Sequence, residues 1–128
     1  MPVHFAGYPT EQDKIYKLAK KFKFKIIEDA SHSIGARYKG EKVGSCKWSH
    51  ISVFSFHPVK IITTFEGGAA ITNNKKIYEK LKLYSNHGIT KNIERFVGKK
   101  KQAWQYEQQL LGFNFRMSDV SASIGISQ

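Results

Sequence analysis

The chain alternates two hydrophobic periods, and that alternation limits its fold more than any other feature. Between Thr10 and Phe22 the apolar residues Ile15, Leu18, Ala19 and Phe22 fall on one stripe of a 3.6-residue helix, with lysines opposite and Thr10 as the expected N-cap. Phe24-Lys25-Ile26-Ile27 then reads as a short buried strand that runs into the acidic pair Glu28-Asp29. Ala36-Arg37-Tyr38, Lys39-Gly40 and Lys42-Val43 predict a small hairpin, and the segment from Ile51 to Phe56 alternates like a strand. Ala69-Ala70-Ile71-Thr72 predicts another strand, entered through Gly67-Gly68. A helix follows from Asn73 or Asn74 to about Tyr84, with Ile77, Leu81 and Tyr84 on one face and Gly88 just past its end. Helices that alternate with strands predict the α/β class: a three-layer α/β/α arrangement around a mostly parallel sheet.

Outside this core the pattern weakens. The stretch from Thr90 to Leu111 is polar, charged and aromatic without a period, so it reads as a long excursion with Trp104 and Tyr106 as its expected anchors. A last helix is expected from Ser118-Asp119, with Val120 and Ile124 inward, and its pattern is still running at Gln128. At the other end, Pro2 to Gly7 reads as the close of a strand whose α/β unit is missing. Both ends are therefore expected to be cut from something larger.

Composition narrows the function classes. The 128 residues are 41% hydrophobic and 13% aromatic, enough for the core of one domain and too apolar for a disordered basic tail. The lone Cys46 allows no internal disulfide. No zinc-type spacing, secretory leader or membrane-length apolar run is visible, so the expected setting is the cytoplasm, without a membrane partner. Twenty-one Lys and Arg against 10 Asp and Glu leave a net charge of +11. Six lysines lie between Lys14 and Lys25, and Lys99-Lys100-Lys101 form a second run, yet only three basic residues are Arg. Base-edge reading favours the bidentate fork of Arg, so this balance describes solvated lysine faces better than a nucleic-acid reader. The alternative function, a basic binding module for an anionic partner on a degenerate enzyme core, rests on those lysine runs.

The chemistry concentrates in three segments: Glu28-Asp29-Ala30-Ser31-His32-Ser33, Phe54-Ser55-Phe56-His57-Pro58-Val59-Lys60, and Glu66-Gly67-Gly68-Ala69. Ligands of parallel α/β sheets bind at the carboxyl ends of the strands, and both Asp29 and the stretch from Ser55 to Lys60 follow predicted strands. A lysine beside an acid is what pyridoxal phosphate requires. The lysine forms a Schiff base, and the carboxylate keeps the pyridine nitrogen protonated so that the ring can accept electrons. Taken singly, Asp29 is an ordinary loop acid and Lys60 an ordinary surface lysine.

Together with Val3-His4-Phe5-Ala6-Gly7 and Gly112-Phe113-Asn114-Phe115-Arg116-Met117, these segments resemble, in order and over nearly the whole chain, the DegT/DnrJ/EryC1/StrS family of sugar aminotransferases, fold-type I pyridoxal phosphate enzymes. His4-Phe5-Ala6-Gly7 and Ser55-Phe56-His57 are most similar to the branch that aminates C4 of a UDP-linked 4-keto-6-deoxy sugar in pseudaminic acid biosynthesis. The resemblance implies a role for each candidate. Lys60 would hold the cofactor covalently and shuttle the proton, and Asp29 would pair with the pyridine nitrogen. His32 would bond the phenolic oxygen or Asp29, and Ser55 would donate to the cofactor phosphate. Asn114 would reach the phosphate of a neighbouring subunit, which implies a homo-oligomer. A nucleotide sugar and an amino-acid donor, glutamate, would be the substrates. Gly67-Gly68 would let the backbone pass close behind the lysine. Family members are much longer, so residues 1–128 are expected to be part of the large domain. By the same resemblance the N-terminal phosphate-binding segment and the C-terminal small domain are expected to lie outside these residues, and little activity is expected from the chain alone.

Overall fold

The computed structural model describes residues 1–98 and 102–128, so the Lys99-Lys100-Lys101 run lies outside the described residues. In chain order the elements are α1 (Gln12–Phe22), β1 (Ile27–Asp29), β2 (Arg37–Tyr38), β3 (Glu41–Lys42), β4 (Ile51–Ser55), β5 (Gly68–Ile71), α2 (Lys75–Ser85), β6 (Ile89–Thr90), β7 (Glu107–Gln108) and α3 (Asp119–Ile126). They fall into two compact units, Met1–Lys75 with Met117–Gln128, and Lys76–Arg116.

The first unit is built on a sheet of order β1-β4-β5. β1 and β4 pair in parallel, Asp29 opposite Val53, and Val3 adds a parallel bridge to Asp29. β5 runs antiparallel to β4, Gly68 opposite Ser55, so the α/β sheet is mixed. The connection explains the reversal. A parallel return needs a crossover element, whereas residues 56–67 fold straight back, with Phe56 N–H on the Gly67 carbonyl at 2.9 Å and Thr64 N–H on the Phe56 carbonyl at 3.0 Å. A Cβ on Gly68 would lie 2.7 Å from the Phe54 carbonyl oxygen, so the close approach that this glycine permits is to β4.

In-register partners share a face of a sheet, and alternate residues swap faces. Glu28, Ser52 and Phe54 therefore share one face, and Asp29, Val53 and Ser55 the other. Phe54 packs with Ala30 and Val43 into the core, joined by Ile34, Ala36 and Phe56. Glu28 is buried beside it and accepts the Ser52 hydroxyl, whose oxygen lies 3.3 Å from Ser49 Oγ and 3.5 Å from Cys46 Sγ. The Ser52 hydroxyl thus gives this buried carboxyl a hydrogen-bond partner.

Helix α1 forms over the expected stripe, with Ala19 buried and Ile15 half-buried, while Leu18 and Phe22 stay exposed. Its N-cap is Glu11, not Thr10, and no side chain caps it. Thr10 is drawn elsewhere: its N–H donates to His4 Nδ1 at 3.1 Å. Asp13 ties the helix to the β2–β3 hairpin by accepting from Tyr38 Oη and Lys39 Nζ, each at 2.7 Å. The hairpin turns through Lys39 and Gly40 at φ 48° and 83°, the positive pair that a two-residue turn of this hand requires. All six lysines from Lys14 to Lys25 are exposed. Helix α3 begins where expected, Ser118 Oγ accepting the Ser121 N–H at 3.1 Å. Ile124 is half-buried, but Val120 is 71% exposed rather than inward, since the short helix has only one covered side.

In the second unit α2 is closed by Gly88, three residues past its end, whose N–H reaches the Leu83 carbonyl at 2.7 Å at φ 68°. The excursion is closed by β6 pairing antiparallel with β7, Ile89 opposite Gln108. Trp104 and Tyr106 do not anchor it, being 74% and 61% exposed. Glu107 does: its carboxylate accepts Val97 N–H at 2.8 Å and Gly98 N–H at 3.0 Å. Two backbone donors on one carboxylate hold a polar loop that has little apolar surface to bury.

Candidate active site

Because β1 and β4 are parallel, their carboxyl ends open at the same sheet edge, and the residues that follow them meet there. Ser31 and His32 after β1, Val59, Lys60 and Ile61 after β4, and Ala6 from the N-terminal segment line a cleft of about 350 Å³. Lys60 is set by a tight turn, its N–H on the His57 carbonyl at 2.9 Å. His32 Nδ1 accepts the Ala6 N–H at 3.4 Å.

Asp29 closes β1. Its Oδ1 accepts the Ser31 N–H at 3.1 Å, a side chain folded back on the amide two residues on. Its carboxyl is held below the usual range, first by the Ser31 side chain, then by the Ser31 N–H, with the charges of His32 and Lys60 acting in the same sense. Asp29 is therefore an ionised acid within electrostatic reach of both cleft residues. Ser55 ends β4 on the same sheet face as Asp29, and its Oγ accepts the His57 N–H at 3.4 Å. It does not line the cleft. Asn114 lies in the other compact unit, exposed and bridged to Asn86.

Ala6, Ser31, Val59 and Ile61 were not singled out from the sequence. Only Ser31 carried a signal, the Asp-x-Ser spacing of a side-chain turn. A larger cleft of about 540 Å³ lies within the second unit among Lys82, Lys91, Arg95 and Arg116. Its one acid, Glu79, is taken up by Arg95 at 2.7 Å, so the smaller cleft is the chemical candidate.

Pyridoxal phosphate asks a protein for a primary amine, an ionised carboxylate and donors for a phosphate. Lys60, Asp29 and Ser55 are such groups, and His32 adds an imidazole, so the donor set fits.

Solved structures that share this α/β fold include aminotransferases. The chain matches the DegT/DnrJ/EryC1/StrS aminotransferase family over residues 1–128 and belongs to it. It is 48% identical, over 98% of its length and 31% of the relative's, to a UDP-4-amino-4,6-dideoxy-N-acetyl-beta-L-altrosamine transaminase of Campylobacter jejuni. It superposes with a TM-score of 0.85 on Helicobacter pylori PseC, an aminotransferase involved in the biosynthesis of pseudoaminic acid, at 38% identity over 98% of this chain and 31% of that one. The PLP form of Spr1654 from Streptococcus pneumoniae is also similar, with a TM-score of 0.79 and 28% identity over 98% of this chain and 34% of that one. The chain thus spans about a third of the length of the relatives it matches.

Proposed function

We propose that residues 1–128 are the lysine-bearing part of the large domain of a pyridoxal phosphate-dependent sugar aminotransferase. It transfers an amino group from glutamate to C4 of a UDP-linked 4-keto-6-deoxy sugar in surface-glycan biosynthesis. The observation that carries this reading is the cleft shared by Lys60 and His32, with the ionised Asp29 near enough to feel both charges. The names of the Campylobacter relative and of the Helicobacter structure support the substrate class, and the PLP form of Spr1654 supports the cofactor.

When bound, pyridoxal phosphate supplies an electron sink that stabilises negative charge on a neighbouring carbon. Lys60 would hold the cofactor through its Nζ amine and would hold and move the proton. Asp29 would keep the pyridine nitrogen protonated, a role that its lowered pKa suits because it stays anionic at neutral pH. Ser55 would donate its hydroxyl to the phosphate, and His32 would bond the ring oxygen or Asp29. Asn114 completes the phosphate contacts in a second copy of the chain, so the working form is a homo-oligomer. The setting is the cytoplasm. Among the described residues no helix is long and apolar enough to cross a membrane.

The test is reduction with borohydride after incubation with pyridoxal phosphate, followed by peptide mass analysis. One phosphopyridoxyl group is expected on the peptide that carries Lys60, lost in Lys60→Ala. Labelling spread over other lysines and unchanged by Lys60→Ala overturns the reading. Salt-sensitive retention on heparin without any label would favour a basic binding module. With glutamate and the keto-sugar nucleotide, the chain alone is expected to turn over little or not at all.

A further inference from the structure

Residues 4–7 make contacts that the sheet does not require. His4 is fully buried at 0% exposure, a titratable side chain whose ring nitrogens meet Thr10 and Gln12. Its Nδ1 accepts the Thr10 N–H at 3.1 Å, and its Nε2 lies 3.1 Å from the Gln12 amide. Its backbone N–H donates to the Asp29 carbonyl at 3.0 Å, and Asp29 N–H returns to the Pro2 carbonyl at 2.9 Å. This segment is therefore fixed at its root to the strand that ends in the site acid.

From that root the chain turns sharply. Ala6 sits at φ 51°, ψ 25°, a left-handed conformation that costs a non-glycine residue free energy. The turn brings three successive residues onto His32. The Phe5 ring lies 5.8 Å from the imidazole, centroid to centroid, at 60°. Ala6 N–H points at His32 Nδ1 over 3.4 Å. Gly7, at φ 83°, sits where a Cβ would come within 3.0 Å of the His32 carbonyl oxygen.

We propose that the turn from His4 to Gly7 is a positioning element that sets the tautomer of His32. A backbone amide can only donate, so His32 Nδ1 is the acceptor and the proton of the neutral ring resides on Nε2. His32 thereby offers the cleft an N–H donor rather than a lone pair, which suits a ligand oxygen that carries negative charge. His4 acts at a distance: its buried bonds to Thr10 and Gln12 hold the turn, and the turn holds the imidazole. Only the identity of the oxygen that meets Nε2 rests on the function proposed above. The tautomer itself does not.

The experiment is long-range proton–nitrogen NMR of the intact chain labelled at histidine nitrogens, at pH 8 and without ligand. The urea-unfolded chain serves as the reference for an unbiased ring. The ratio of the Nε2–H to the Nδ1–H form of His32 is expected to exceed that of the unfolded chain by about two- to tenfold, the range set by one neutral hydrogen bond. Gly7→Ala, which pushes against the His32 carbonyl, should return the ratio most of the way to the unfolded value. Ala6→Gly keeps the amide donor and relieves the left-handed strain, so the ratio should persist. A wild-type ratio equal to that of the unfolded chain overturns the proposal whether or not any variant folds. So does a bias that survives Gly7→Ala. Failure of Lys60 to take the phosphopyridoxyl label while the bias is present would sink the cofactor reading and uphold the turn. The label without the bias does the reverse.

Discussion

The two compact units are held by different means. In Met1–Lys75 with Met117–Gln128, side chains from separate elements meet, burying Ala19, Ile26, Ala30, Val43 and Phe54. In Lys76–Arg116, Phe96 and Thr90 are buried, while Trp104, Tyr106, Leu111, Phe113 and Phe115 stay exposed. What closes the second unit is polar: the β6–β7 ladder, Glu107 on two amides, Glu79 with Arg95, and Arg116 Nη1 on Asn86 Oδ1 at 2.6 Å. The candidate site grows from the unit with its own core, where packing can hold a lysine and an acid in register.

That contrast can be broken most directly by truncation. Phe54→Ala empties the centre of the first core and is expected to cost about 3–5 kcal/mol in urea unfolding. Leu111→Ala, at a residue 83% exposed, should stay within about 0.5 kcal/mol. Equal effects would mean that the second unit has a hidden core of its own.

A pH titration sharpens the comparison at intermediate scale. Burial holds His4 below its ordinary 6.5, only partly offset by Glu28 and Asp29. Below 6.5 the unfolded chain takes up a proton that the folded chain refuses. Stability is thus complete above that value and is lost as the pH falls through the lower folded pKa. Protection from amide exchange at Thr10 and Asp29, relative to the intrinsic rate at each pH, should fall across that window, while Val97 and Gly98 are spared. His4→Gln should remove the step. Uniform loss of protection in both units would show that they unfold as one.

The smallest effect is expected at the ion pair of the second unit. Glu79→Gln should cost about 0–1 kcal/mol, because both partners are partly solvated, and the difference should shrink in high salt. A larger, salt-independent loss would mean that the pair is a true anchor.

Much of the fold was legible because its signals are local. The stripe of α1, the Lys39-Gly40 turn, the alternation of β4 and the Ser118 cap each depend on neighbours a few residues apart, and each appears where the pattern places it. Thr10 misled because a capping residue was claimed by a histidine six positions away, a competition that propensity does not register. Trp104 and Tyr106 misled because aromatic bulk implies burial only where some surface stands opposite.

The sequence by itself determined the order of helices and strands, the family, and the inventory of groups, a lysine, an acid, an imidazole and a hydroxyl, in a spacing suited to one chemistry. Tertiary structure alone decided that β5 runs back along β4, that Asp29 and Ser55 share a face while Glu28 is buried on the other, and that Ala6 reaches His32 across 26 positions of chain. Periodicity is a property of neighbours along the chain. Strand sense, sheet face and a histidine's tautomer depend instead on which distant backbone groups satisfy one another, and that is settled only when the chain closes on itself.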